Sequence, residues 1–110
     1  MVLMVDGRSL QTTDQGFLCC LEDWNEGVAE LLALHQGIEL TEAHWEIILY
    51  MRNYYLKYRH LPNSRMFVKA IRKALGAEKG NSRYLQRLFP DGPLKFACMI
   101  AGLPKPPTCL

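Results

Sequence analysis

The sequence has 110 residues, of which 49% are hydrophobic and 22% charged, as expected for one globular domain. No apolar run approaches the ~20 residues of a membrane span, and the first residues lack the basic region of a secretory signal. The formal net charge is only +2. The four cysteines are too few for a secreted disulfide framework, so we expect a cytoplasmic chain with reduced thiols.

The N-terminal segment is predicted to form a β-hairpin. Apolar residues precede Asp6-Gly7, the dipeptide that best accepts the positive φ angles of a two-residue turn. The chain then returns through residues 8–12. An isolated two-stranded hairpin is only marginally stable, so its apolar face must pack against helices.

The chain up to Gly102 then shows the apolar spacing that is typical of amphipathic helices, interrupted by capping and breaking residues. The predicted helices run from Asp23 or Asn25 to Gly37, over residues 42–58 with Thr41 as cap, from Asn63 or Ser64 to Leu75, from Asn81 or Ser82 to Phe89, and from Pro93 to about Ala101. We therefore predict a mainly α fold of the α+β class, a compact bundle of about five helices with an N-terminal hairpin, over residues 1–102.

The last residues, 103–110, are expected to form a flexible, extended arm. Prolines at positions 104, 106 and 107 fix φ and remove backbone donors, so the segment can continue neither a helix nor a sheet. At ~3.1 Å per residue, the arm carries its tip roughly 20 Å beyond Gly102. Cysteine is usually buried, yet Cys109 is the penultimate residue of this arm. From there its thiol can enter the cleft of another protein, which makes Cys109 the first candidate for a reactive residue.

A second cysteine, Cys98, lies eleven residues before Cys109, within the fifth predicted helix. If the arm folds back about Gly102, the two Cα atoms can approach within the ~7 Å that a disulfide requires. Such a pair is typical of an attacking and a resolving thiol. A small buried residue of a core helix is the alternative, and the spacing alone leaves both interpretations open.

The tail forms a distinctive motif, Ile100-Ala101-Gly102-Leu103-Pro104-Lys105-Pro106 with a penultimate cysteine. Further motifs are Lys79-Gly80-Asn81-Ser82-Arg83-Tyr84-Leu85, Leu88-Phe89-Pro90, Gly92-Pro93, Leu40-Thr41-Glu42-Ala43-His44-Trp45 and Trp24. Together these segments closely resemble the DsrC/TusE family, and the resemblance extends over nearly the whole chain.

The resemblance implies a sulfur carrier in which Cys109 accepts sulfur as a persulfide from a DsrEFH-like or TusBCD-like relay complex, without a further cofactor. TusE-type members pass the sulfur toward 2-thiolation of the tRNA wobble uridine. DsrC-type members also contain the upstream cysteine, here Cys98, and work with dissimilatory sulfite reductase, where the two cysteines can hold a sulfur as a trisulfide. Because both cysteines are present, we expect a DsrC-type carrier and co-substrate rather than a stand-alone enzyme.

Three features depart from the family pattern, one of which is Ser64 at a position that is usually apolar. Pro107-Thr108 stands where a Thr-Gly pair is common, and it stiffens the arm just before Cys109. Cys19-Cys20 is not part of the pattern, and a disulfide between adjacent cysteines is strained and rare. We therefore expect two free thiols at this position.

Charge is distributed unevenly along the chain. Residues 1–62 contain four Lys or Arg against nine Asp or Glu, whereas residues 63–110 contain nine against two. Lys79, Arg83 and Arg87 follow at one-turn spacing, so we expect them, with Gly102 and Lys105 of the arm, to contribute to docking on an acidic partner. A solvated face is the alternative. The third and fourth helices also loosely resemble a helix-turn-helix, which makes a DNA-binding regulator the competing function.

Overall fold

The computed structural model describes residues 2–5, 7–90 and 92–106, which form two strands followed by five helices. The elements are β1 (Val2–Val5), β2 (Arg8–Gln11), α1 (Glu26–His35), α2 (Glu42–Tyr58), α3 (Ser64–Leu75), α4 (Ser82–Leu88) and α5 (Pro93–Ile100). None of these helices is both long and apolar enough to cross a bilayer. The predicted architecture, a helical bundle with an N-terminal hairpin, is confirmed.

The strands β1 and β2 pair antiparallel, with Leu3 opposite Leu10 and Val5 opposite Arg8. Side chains alternate between the two faces of a strand, so Leu3, Val5 and Leu10 are buried while the other residues of the two strands are exposed. The hairpin covers one side of the core through contacts between β1 and α1.

Asparagine side chains determine where three of the helices begin. Asn25, Asn63 and Asn81 each accept a hydrogen bond of 2.8–2.9 Å from the backbone N–H three residues later. In each case the structure selects the asparagine from the alternatives that the sequence left open. Asp23 instead belongs to a short 3-10 turn before α1.

His44 links the start of α2 to the end of α4. Its Nδ1 accepts a hydrogen bond of 3.1 Å from the backbone N–H of Thr41, and its Nε2 lies 2.7 Å from the carbonyl oxygen of Leu88. A backbone N–H can only donate and a carbonyl can only accept, so the ring is the tautomer protonated at Nε2. This arrangement confirms Thr41 as the predicted cap of α2.

The helix α5 lies in the centre of the core, between α1, α2 and α4. Its buried residues are Leu94, Ala97, Cys98, Met99 and Ile100. A helix enclosed on several sides is a rigid support for the segment that follows it.

Candidate functional site

Cys98 is fully enclosed within α5, with an exposed fraction of 0%. Burial raises the pKa of the Cys98 thiol from 9.0 to about 12, because a thiolate is strongly disfavoured where water is excluded. Only the thiolate is a nucleophile, so Cys98 is unreactive in this conformation. The predicted role as a resolving thiol would therefore require the packing around Cys98 to open.

The chain leaves α5 through a Schellman motif. The backbone N–H of Leu103 donates to the carbonyl of Cys98 at 3.0 Å, and that of Gly102 donates to the carbonyl of Met99 at 3.1 Å. Gly102 has a φ of +71°, the left-handed conformation that this motif requires. The helix therefore ends at the predicted glycine.

Two side chains from distant parts of the chain bind the last carbonyl oxygens at this helix end. The indole Nε1–H of Trp24 donates to Ile100 at 2.8 Å, and Nη1 of Arg52 donates to Ala101 at 2.7 Å. The guanidinium of Arg52 also stacks on the indole, with its central carbon 4.1 Å from the ring centroid. We refer to Trp24 and Arg52 as the clamp.

Gly102 lies directly against this clamp. A Cβ at position 102 would lie 2.4 Å from Cδ1 of the Trp24 indole, closer than any van der Waals contact permits. Gly102, about which the arm is predicted to fold back, is thus held by two backbone hydrogen bonds and by an aromatic ring. The clamp fixes the direction in which the arm leaves the domain.

The first residues of the arm pack onto the domain. Leu103 has an exposed fraction of 0% and Pro106 is also buried, whereas Pro104 and Lys105 are exposed. The predicted arm begins at residue 103, but the structure places these two apolar side chains in the interior because burial removes them from water. Cys109, the predicted sulfur-bearing residue, lies outside the described residues.

A shallow depression of about 600 Å³ lies beside the base of the arm. Pro104 and Lys105 line one side, and the loop after β2 lines the other, with Cys19 among its residues. Cys19 and its neighbour Cys20 are exposed, free thiols, as predicted. Cys19 and Lys105 therefore share one solvent-accessible site.

The predicted basic stripe divides into one paired and two unpaired residues. Nζ of Lys79 lies 2.7 and 2.9 Å from the carboxylate oxygens of Glu46, and this hydrogen bonding raises the pKa of Lys79. Arg83 and Arg87 are exposed on α4 and form no ion pair with any residue that the structure describes. Of the three, only the two arginines offer uncompensated charge.

Sequence patterns did not identify the clamp. The sequence marked Trp24 only as part of a family motif and did not mark Arg52. The two residues lie 76 and 49 positions from the carbonyls that they bind. No local spacing marks such a contact. Over residues 2–5, 7–90 and 92–106, no three His, Cys, Asp or Glu side chains converge into a metal-binding group.

Fold and site together define a small helical protein that anchors a cysteine-bearing C-terminal arm at the end of a buried helix. The family model described as DsrC-like protein matches residues 4–110, and the chain belongs to this family.

Proteins with two different names are similar to this chain. Sulfurtransferase TusE of Sodalis glossinidius is 53% identical over 105 residues, which cover 96% of this chain and 97% of that protein. The NMR structure of Allochromatium vinosum DsrC matches with a TM-score of 0.91 and 48% identity, and both chains are covered completely. The oxidized gamma-subunit of dissimilatory sulfite reductase (DsrC) from Archaeoglobus fulgidus also matches over both full chains, with a TM-score of 0.84 and 45% identity.

Proposed function

We propose that the protein is a cytoplasmic sulfur carrier that holds sulfur as a persulfide on Cys109 and presents it to other proteins. The observation that carries the proposal is the anchored base of the arm, where the clamp and the Schellman motif hold Gly102. A thiol on a proline-rich arm can enter a partner's cleft while the domain stays folded. The names of the relatives, sulfurtransferase TusE and DsrC, support the same role.

Loading of the carrier is a thiol exchange without net oxidation. The Cys109 thiolate attacks the outer sulfur of a donor persulfide, the sulfur–sulfur bond of the donor breaks, and the donor leaves as a thiolate. Positive charge near a thiol favours the thiolate, and Lys105 is the basic residue of the arm. The donor is a relay protein of the DsrEFH or TusBCD kind.

Delivery can follow a DsrC-type route in which Cys98 resolves the persulfide. The Cys98 thiolate attacks the inner sulfur of the Cys109 persulfide, and the bond between that sulfur and the carried sulfur breaks. A Cys98–Cys109 disulfide forms and hydrosulfide leaves, so that the Cys98 sulfur is oxidised and the carried sulfur is reduced. Because Cys98 is enclosed, the packing around α5 must open before this step. In this route the partner, as donor or acceptor of the sulfur, is dissimilatory sulfite reductase.

A TusE-type relay toward tRNA thiolation is the second candidate. It needs only Cys109, and two observations favour it: the complete burial of Cys98 and the 53% identity to a TusE protein. In this route the carried sulfur passes directly to an acceptor protein, and Cys98 remains a core residue.

A loading assay tests the carrier function. After incubation with polysulfide, peptide mass spectrometry should find an added ~32 Da, the mass of one sulfur, on the peptide that contains Cys109. Cys109→Ser should abolish this addition, whereas the matched variant Cys19→Ser/Cys20→Ser should retain it. Sulfur found only on Cys19 or Cys20 would contradict the proposal.

The variant Cys98→Ala separates the two delivery routes. If Cys98 resolves the persulfide, this variant should load sulfur normally but release no hydrosulfide and form no intramolecular disulfide. If the relay uses a single cysteine, transfer to the acceptor should proceed at the wild-type rate. Non-reducing peptide mapping and sulfide release distinguish these outcomes.

A further inference from the structure

A groove of about 590 Å³ runs between α3, α4 and the start of α5, and the proposed sulfur chemistry makes no use of it. Its floor is apolar and is formed by Phe67, Val68, Leu85 and Leu94. Its charged lining residues are Arg65, Lys69 and Arg72. The groove thus combines an apolar floor with three cations and no acidic lining residue.

The cations of the groove are not neutralised within the described part of the chain. Arg65 and Lys69 are exposed and form no ion pair there. Arg72 is held in place because its Nε donates to the carbonyl oxygen of Gly80 at 3.0 Å. Gly80 itself packs so closely on α3 that an added Cβ would overlap the backbone of Arg72. The loop after α3 therefore holds one wall of the groove rigidly.

The sequence at the start of α3 adds to this positive potential. Asn63 caps the helix, Arg65 occupies its second position, and the first turn contains no acidic residue. The N-terminal end of a helix carries partial positive charge, so an arginine there is unfavourable unless an anion lies nearby. α3 runs through twelve residues, long enough for this effect to be fully developed. An external carboxylate beside Arg65 would remove the unfavourable interaction.

We propose that this groove docks an acidic amphipathic segment of a partner protein. Apolar side chains of the segment would contact the floor at Val68 and Leu94, and its carboxylates would pair with Arg65 and Lys69. A nucleic acid fits less well, because an apolar floor offers nothing to phosphates, and protein–nucleic acid interfaces are more polar and wetter. The inference rests on the proposed carrier function, in which a docked partner receives or supplies the sulfur of the arm.

A peptide-binding experiment on the full chain tests the docking site. The probe is a fluorescein-labelled synthetic helix of about sixteen residues, with leucines at helical spacing and glutamates beside them. Fluorescence anisotropy should show saturable binding that weakens as salt rises. Amide chemical shifts should move in α3, α4 and the start of α5. No saturable binding up to millimolar peptide would overturn the proposal.

Charge-reversed variants establish whether binding uses the groove. Arg65→Glu/Lys69→Glu should weaken peptide binding by about tenfold or more, because a repulsive pair replaces an attractive one. The control Arg8→Glu/Lys57→Glu reverses two exposed cations elsewhere, so both double variants lower the formal net charge from +2 to −2. Equal weakening in the two variants would mean that only the overall charge acts, and would overturn the site.

Altered probes identify the class of partner. A peptide with glutamine in place of each leucine should bind much more weakly, and so should one with glutamine in place of each glutamate. Equal binding of the leucine-free peptide would exclude a role for the apolar floor. A duplex or single-stranded oligonucleotide that displaces the peptide at lower concentration would assign the groove to nucleic acid instead.

Sulfur loading separates this proposal from the carrier function. Arg65→Glu/Lys69→Glu should still acquire sulfur on Cys109 from polysulfide, since a small donor needs no docking. If this double variant both loads sulfur and binds the peptide normally, the docking site is overturned but the carrier function is not. Normal peptide binding by a wild-type chain that never loads Cys109 would overturn the carrier function and leave the groove as a binding site.

Discussion

The indole nitrogen of Trp24 donates a 2.8 Å hydrogen bond to the carbonyl oxygen of Ile100, and so ties the segment before α1 to the last turn of α5. The same turn contains Cys98, whose carbonyl accepts the hydrogen bond from Leu103 at the base of the arm. A motion of the last turn of α5 that exposes the Cys98 thiol would break these contacts. Trp24 therefore couples the direction of the arm to the enclosure of Cys98.

Replacement of Gly102 by alanine should destabilise the protein strongly. The variant combines a left-handed backbone with a Cβ that overlaps the Trp24 ring, and we expect the free energy of unfolding to fall by about 3 kcal/mol. Gly37→Ala is the matched control, because its φ is +70° but nothing lies within 4 Å of the added Cβ. That variant should lose about 1 kcal/mol in urea unfolding. Equal losses would show that the contact with Trp24 carries no energy.

Trp24→Phe should loosen the end of α5 without removing its aromatic packing. The carbonyl of Ile100 loses its donor, which costs about 1–3 kcal/mol for a partly buried group. We expect faster alkylation of Cys98 under native conditions, read by peptide mass spectrometry. Trp45→Phe, which changes another partly buried indole, should leave that rate near the wild-type value. An unchanged rate in Trp24→Phe would separate Cys98 enclosure from the clamp.

Cys98 should make stability fall at alkaline pH. Its pKa is raised from 9.0 to about 12 in the folded state, so the thiol ionises first in the unfolded chain. The stabilisation is complete below about pH 9 and is lost progressively as the pH rises toward about 12. Urea unfolding of wild type and Cys98→Ala should therefore show a constant difference at neutral pH that changes above pH 9 in favour of the variant. The other cysteines are present in both proteins, so their ionisation contributes equally to both unfolding free energies and cancels in the difference. A difference independent of pH would indicate an accessible Cys98.

Arg65→Glu should stabilise the isolated protein while it weakens docking. A negative charge at the second position of α3 interacts favourably with the helix dipole, and we expect a gain of about 0.5 kcal/mol in the free energy of unfolding. Lys73→Glu, in the last turn of the same helix, should lose a similar amount because the dipole has the opposite sign there. Thermal unfolding at low salt measures both, and loss of stability in Arg65→Glu would contradict the electrostatic argument.

Local signals in the sequence were sufficient to locate the secondary structure. The Asp6-Gly7 turn, the asparagine caps and the glycine at position 102 act on residues within four positions of themselves, so they predict the hairpin and the helix ends. The likeness of the tail to one family likewise depends on a short continuous motif, and the match over residues 4–110 confirmed it.

Contacts between distant segments were decided only by the tertiary structure. The spacing of Cys98 allowed both a resolving thiol and a core residue, and its complete burial depends on helices far along the chain. Three other features also depend on contacts between distant segments. They are the hydrogen bond from Trp24 to Ile100, the ion pair of Lys79 with Glu46 and the groove beside Arg65. Each depends on how the helices pack, because packing brings together side chains that are far apart in sequence. No local sequence pattern indicates which of them will be in contact.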